Sequence, residues 1–301
     1  MLNEYPDRSG SPAPLIDGIS AIADDFDYFI LDVFGVIHNG VKLYDETLPA
    51  FEALKAAGKK ICLLSNSPKR AHKAREDLAR LGLEETMYDD IVTAGEAAHQ
   101  ALCLRSDDFH KFCGYNCWFV GTEMMEHIVD GLSLNSVENI EDADFILNSV
   151  PGTSDWNAEE LKRNLEVAAK RDIPMVCANP DMVVNIGDNQ YECAGTYARY
   201  YEERGGRVAY HGKPYAEVYD MVRARFGNPP KEKMVAIGDS LHTDVQGAQN
   251  FGIGCLFNLK GIHWEDVKMD HSPDEADLDK IRLVIDNQPF KPLAIISGLK
   301  W

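Results

Sequence analysis

Short apolar runs alternate with helical segments along most of this chain, and that alternation leaves few architectures open. Tyr28-Phe29-Ile30-Leu31 reads as a buried strand ending at Asp32, and Ile61-Cys62-Leu63-Leu64 as another ending at Ser65. Between them, Pro49 suits a first helical turn and Gly58 sits where that helix, Pro49 to Ala57, stops. A second helix over 69–81 stops at Gly82. Far along the chain, Pro214 opens a helix with apolar residues at Tyr215, Val218, Tyr219, Val222 and Phe226, closed by Gly227. Met234-Val235-Ala236-Ile237 is a strand ending in Gly238-Asp239, followed by a helix from about Asp244 to Asn250 and a strand at Cys255-Leu256-Phe257. Strands separated by helices predict a parallel sheet covered on both faces, with ligands bound at the carboxyl ends of its strands. Asp32, Ser65 and Asp239 all fall at such ends.

The middle, 96–208, has strand–helix units of its own. Trp118-Phe119-Val120 precedes Gly121, Phe145-Ile146-Leu147 precedes Asn148, and Met175-Val176-Cys177 precedes Ala178-Asn179-Pro180-Asp181, with a helix from Asp155 to Lys170 before the last. The expectation is an α/β domain inserted into a discontinuous one, 1–95 with 209–301. Trp118 and Phe119 read as its core. The acidic stretch Asp266 to Asp279 reads as a solvated loop.

The 301 residues are 45% hydrophobic and carry a net charge of −19. The apolar content suffices for a packed core, and the acid excess argues against nucleic-acid binding. It also makes a phosphate ligand costly to approach unless a metal ion or local cations supply positive charge. Seven cysteines show no disulfide spacing, and Cys113 and Cys117 lack the second close pair a zinc site needs. Reduced thiols and a cytoplasmic location are the expectation. The N-terminal MLNEYPDRSGSPAP has no signal pattern, and no apolar run reaches the length of a membrane span.

Four segments can carry chemistry. In Asp32-Val33-Phe34-Gly35-Val36-Ile37-His38-Asn39-Gly40, an acid at a strand end is followed by a hairpin signal at Asn39-Gly40; the acid either acts in chemistry or caps a turn. In Gly238-Asp239-Ser240-Leu241-His242-Thr243-Asp244, two carboxylates can hold a hard cation, or Ser240 or Thr243 caps a helix with the acids at its positive end. Ser65-Asn66-Ser67 offers hydroxyls, an amide and main-chain N–H groups to phosphate oxygens. In His211-Gly212-Lys213-Pro214 a lysine precedes a helix, where the dipole disfavours it; either it faces solvent or a phosphate and carboxylates surround it.

Together these segments resemble the haloacid dehalogenase-like superfamily of aspartate-nucleophile hydrolases. The details are similar to its class IIA group, the p-nitrophenyl phosphatases and NagD-type phosphatases. Val92-Thr93-Ala94-Gly95-Glu96 and Ala178-Asn179-Pro180-Asp181 add to the likeness, which spans residues 25–263. The resemblance implies a Rossmann-like, doubly wound parallel core with a large α/β cap over 96–208 that chooses the substrate. It implies Asp32 as nucleophile. It implies Mg²⁺ held by Asp32, the Phe34 carbonyl and Asp239, with Asp244 as ligand or supporting acid. Ser65 would bind the phosphoryl group, helped by Asn66 and Ser67, and Lys213 would balance the negative charges. Asn179 and Asp181 could touch substrate, or simply shape a strand-end turn. The implied partner is a small phosphorylated metabolite, such as a nucleotide, a sugar phosphate, phosphoglycolate or pyridoxal phosphate, with no nucleic acid and no membrane. A homodimer is in keeping with the group's caps.

One position departs from the pattern. The family's phosphatases carry a second Asp two residues after the nucleophile, which protonates the leaving oxygen; here that residue is Phe34. Three readings follow: a phosphatase with another donor such as His38, a cap residue or the substrate itself; a dehalogenase-like enzyme; or a nearly inactive homologue that binds a phosphometabolite. Retention of Asp239 and Asp244 speaks against the second, because halide displacement needs no Mg²⁺. The bland reading of His38 is a flap histidine facing solvent, and that of Glu96, otherwise a cap hinge, is an acid at a helix N-terminus.

Overall fold

The computed structural model describes residues 13–150, 157–186, 189–270 and 272–301. The chain divides into two compact units, one of residues 1–65, 77–91 and 214–301, the other of 66–76 and 92–213.

The first unit is built on a six-stranded sheet in the order Ala294–Ile296, Gly254–Asn258, Met234–Gly238, Tyr28–Leu31, Lys60–Ser65, Asp90–Thr93. The pairs from Ala294–Ile296 through Lys60–Ser65 are parallel. The strands run outward from the centre in chain order on each side, so the order reverses between Tyr28–Leu31 and Met234–Gly238. In a doubly wound sheet that junction is where ligands bind. Apolar residues on both faces explain why these strands are continuous hydrophobic runs: Phe29, Ile30, Leu31, Ile61, Leu63, Val235 and Ile237 are all almost completely buried. Helices Thr47–Ala56 and Ala71–Leu81 end just before Gly58 and Gly82, whose φ angles of 71° and 100° suit glycine.

Three local expectations need correction. The segment around Asn39-Gly40 is a very short hairpin that turns one residue later than expected, at Gly40-Val41: His38 bridges Leu43 antiparallel, Tyr44 N–H bonds the Ile37 carbonyl at 3.0 Å, and Asn39 N–H bonds the Lys42 carbonyl at 3.2 Å. Asn39 Oδ1 accepts from the N–H groups of Val41 and Lys42, both at 3.0 Å, so a side chain closes the turn, while Val36 and Ile37 are drawn into the core. The helix expected from Asp244 begins earlier, as a π-helical turn over Leu241–Val245 that continues as an α-helix over Gln246–Phe251. The Ser240 carbonyl accepts from both Asp244 N–H (3.0 Å) and Val245 N–H (3.2 Å), which widens that turn. The acidic segment 266–279 is not a loop throughout. Buried Val267 ends a short helix, strands Lys268–Met269 and Ser272–Ala276 pair, and Asp277 caps the helix Leu278–Asp286.

The second unit holds a five-stranded parallel sheet in the order Val208–Tyr210, Met175–Cys177, Phe145–Asn148, Asn116–Val120, Asn135–Ser136. Alternate residues feed two cores: Ile146 and Met175 pack with Leu165 and Tyr197, whereas Phe145, Leu147 and Val176 pack with Ala98 and Leu102. Trp118 joins the first of these cores and Phe119 the second. The helix expected from Asp155 is seen over Ala158–Lys170, capped by Asn157; Asp155 itself lies outside the described residues. A hairpin of Val183–Ile186 and Asn189–Glu192 follows the Met175–Cys177 strand. The seven cysteines are free thiols, six of them buried. Among the described residues no helix is long and apolar enough to cross a membrane.

Candidate active site

At the reversal point of the first sheet, Leu31 pairs with Ile237, so the residues that follow on the two strands emerge side by side. Asp32 leaves one strand with its N–H bonded to the Ile237 carbonyl at 2.8 Å, and Asp239 leaves the other. The π turn brings Asp244 back to the same place. Oxygens of Asp32, Asp239 and Asp244 lie within 4.8 Å of one another, and the three residues are only 8%, 7% and 3% exposed. Among the described residues this is the only such cluster of His, Cys, Asp and Glu.

Buried carboxylates this close repel one another unless a cation sits among them. The donor set is oxygen only, which suits a hard divalent ion such as Mg²⁺ and not zinc. The surroundings hold the acids in place. Asp239 Oδ2 accepts from Ile262 N–H at 2.7 Å, and Asp244 Oδ2 accepts from Ser240 N–H at 3.1 Å. A Cβ on Gly35 or Gly261 would collide with the Asp239 carboxylate, and one on Gly238 with that of Asp244. Main chain is packed directly against two of the acids, a cradle any side chain would fill. The residues present fit the cation.

Phe34 is half-buried, with the half-buried His38 ring edge-on to it at 5.4 Å between centroids. His38 Nδ1 accepts from Gly40 N–H at 2.9 Å, so this histidine is built into the loop and does not simply face solvent. Ser65, 7% exposed, ends its strand in the first unit. The remaining expected residues belong to the second unit. Asn66, Asn179 and Lys213 are buried there, with Ser67 and Asp181 half-buried. Ser67 Oγ accepts from Lys69 N–H at 3.3 Å, and Asn179 Oδ1 from Asp181 N–H at 3.0 Å. Glu96 lies in the first turn of the helix Ala94–Leu104 and makes an ion pair with Arg70 at 2.7 Å.

Two neighbours of the acids escape a reading of the sequence. Burial, with the charges of Asp239 and Glu46 nearby, pushes the Tyr44 phenol up to about 12. Tyr219, fully buried on the helix Ala216–Arg225, donates to the Asp244 carbonyl at 3.2 Å. Neither tyrosine stands in a motif; only proximity in space marks them.

A doubly wound core with an acid cluster at its reversal point, interrupted by a second α/β unit, defines a class of capped α/β hydrolases. The sequence matches the haloacid dehalogenase-like hydrolases over residues 29–135 and the HAD-hydrolase-like family over 210–282. A crystal structure of a haloacid dehalogenase-like hydrolase from Brucella suis is 29% identical, with a TM-score of 0.77, covering 94% of this chain and 99% of that one. Phosphoglycolate phosphatase 2 of Arabidopsis thaliana is 25% identical over 83% of this chain and 88% of its own length. The fold of 4-nitrophenylphosphatase from Thermotoga maritima superposes with a TM-score of 0.69 at 23% identity, covering 92% of this chain and 96% of that one. The chain belongs to the haloacid dehalogenase-like hydrolases, and the Arabidopsis relative by sequence is a phosphatase.

Proposed function

We propose that this enzyme is a Mg²⁺-dependent phosphatase of a small phosphorylated metabolite, working through an aspartyl-phosphate on Asp32. The observation that carries the reading is the meeting of Asp32, Asp239 and Asp244 within 4.8 Å in a buried setting. Asp32, the Phe34 carbonyl, Asp239 and Asp244 would hold the ion. When bound, Mg²⁺ offsets the charge of the acids and of the phosphoryl oxygens. Asp32 attacks phosphorus, the bond to the leaving oxygen breaks, and water then cleaves the acyl phosphate to restore the carboxylate. Ser65 donates to the transferring group, and Lys213 supplies the cation that balances it. The second unit, as the cap, selects the substrate. Phosphoglycolate, the substrate in the name of the Arabidopsis relative, belongs in the first panel of compounds to assay.

Phe34 decides which esters are hydrolysed well. It cannot move a proton, and general acid catalysis is worth about 10²–10⁴-fold, roughly 3–5 kcal/mol of barrier. Aryl and acyl phosphates, which leave without help, lose least. We expect p-nitrophenyl phosphate to be hydrolysed with Mg²⁺, alkyl phosphates to be turned over poorly, and Phe34→Asp to raise the alkyl rate at least tenfold. Phosphate release that persists in Asp32→Asn would reject the nucleophile. Phe34 also favours a second reading, a homologue that binds a phosphometabolite without turning it over. No release from any ester with Mg²⁺, together with saturable binding of one of them, selects that reading.

A further inference from the structure

Asn66 is the first residue of the second unit and Lys213 the last, so they stand where the chain enters and leaves it. They are joined twice. Lys213 N–H donates to Asn66 Oδ1 at 2.6 Å, and Asn66 Nδ2 donates to the Lys213 carbonyl at 3.0 Å. The side-chain amide thus pairs with the lysine's main chain as a neighbouring strand would. The second Nδ2 proton goes to Asp181 Oδ1 at 2.7 Å, just past the Met175–Cys177 strand. The orientation of the amide is not interchangeable. A main-chain N–H can only donate and a carboxylate oxygen only accept, so Oδ1 must face Lys213 N and Nδ2 must face Asp181.

Both amide protons are therefore committed inside the protein. The space around Oδ1 is closed as well: a Cβ on Gly212, at a φ of 127°, would stand 2.6 Å from Oδ1 and 2.7 Å from Pro180 Cδ. Asn66 is 5% exposed and Lys213 2%. An amide so engaged has no N–H to offer a phosphate oxygen.

We propose that Asn66 is a positioning residue and that its side chain is not a phosphate ligand: it locks the main chain of Lys213 to Asp181, and so sets where the lysine's ammonium stands. The consequence for catalysis rests on the phosphatase reading above. The lock itself does not, and can be tested apart from it.

The first test is protection of Lys213 from acylation by an N-hydroxysuccinimide ester, followed by mass spectrometry of its peptide. Wild-type Lys213 should react slowly, and Asn66→Ala should speed its reaction at least tenfold, with reactivity at surface lysines such as Lys111 unchanged. Equal protection in wild type and Asn66→Ala overturns the proposal, whatever the enzyme's activity. The second test exchanges donor and acceptor. Asn66→Asp puts two carboxylates face to face and should expose Lys213 and lower kcat by about 10²-fold, the effect of misplacing a catalytic group by an ångström. Adding Asp181→Asn restores a donor opposite an acceptor at that contact, while the Lys213 carbonyl still faces an oxygen, and should recover part of the loss, at least tenfold in both protection and kcat, at unchanged KM. Failure of Asp181→Asn to recover protection overturns the lock even if Asn66→Ala does not fold. Recovery of protection without any phosphatase activity in wild type leaves the lock standing and rejects the function.

Discussion

The Asp239 carboxylate shows how narrowly a single group is held. Main chain of Gly35 and Gly261 packs against it, and Ile262 N–H bonds one of its oxygens. Gly261→Ala adds only a methyl group, yet that methyl occupies the carboxylate's place. Groups that orient ligands typically set metal affinity by 10–100-fold. We therefore expect the Mg²⁺ concentration for half-maximal hydrolysis of p-nitrophenyl phosphate to rise about tenfold or more in Gly261→Ala, read from a metal titration. An unchanged titration would show that the carboxylate relaxes around the methyl at no cost. Gly35 and Phe34 were visible in the Asp32 segment, but nothing in the residue string ties Gly261 to Asp239. That contact comes from the loop after the Gly254–Asn258 strand, which brings Gly261 and Ile262 to the carboxylate.

Among the elements, the strand Val208–Tyr210 delivers a half-buried histidine to the second unit. His211 N–H bonds the Cys177 carbonyl at 2.9 Å, and its ring meets His110 at 3.1 Å between Nε2 atoms. Asp107 accepts from His110 Nδ1 at 2.7 Å, so with both rings neutral it is His211 that donates across the pair. Burial, reinforced by His110 and opposed by Asp107, pushes the His211 imidazole down to about 3. A folded pKa below the unfolded one of about 6.5 means that the unfolded chain takes up the proton first. The stability from keeping His211 neutral is complete above pH 6.5 and is lost as the pH falls toward 3, by at most about 1.4 kcal/mol per unit. Hydrogen bonds from the His110 main chain and ring outweigh burial to lower the Asp107 carboxyl, so its own contribution is lost only below about pH 3.8. His127 and His263 are also lowered, mainly by burial, and push in the same direction as His211. Urea unfolding at pH 7 and 5 should show a fall in wild type that is smaller in His211→Gln. An equal fall in both would mean that His211 is protonated in the folded protein.

For the molecule as a whole, the acid cluster is a liability without a cation. Asp32, Asp239 and Asp244 gather three like charges at one buried point of a chain whose net charge is −19. Stripping divalent ions with EDTA should lower the melting temperature, and Mg²⁺ at a hundred times its dissociation constant should restore about 2.7 kcal/mol. Asp244→Asn should melt higher than wild type in EDTA and gain little from Mg²⁺, because one repulsion and one ligand leave together. Scanning calorimetry with and without Mg²⁺ checks both statements. A wild type indifferent to Mg²⁺ would remove the cation from the account.

The periodic apolar runs determined the parallel strands and most helix limits, because burial on both faces of a sheet demands continuous hydrophobic residues wherever the strand lies. Strand-end acids and hydroxyls were legible for the same reason: a polar residue directly after such a run has to be at an edge. Tertiary structure alone decided which edge residues meet. Asp32 and Asp239 emerge together because their strands are neighbours across the sheet's reversal point, a pairing between segments some two hundred residues apart that local pattern does not encode. It decided as well that the short hairpin turns at Gly40-Val41, with the Asn39 side chain closing it, and that Asn66 spends its amide on Lys213 and Asp181. A side chain's type states what bonds it can make; which of them it makes depends on partners that only the folded chain brings within reach.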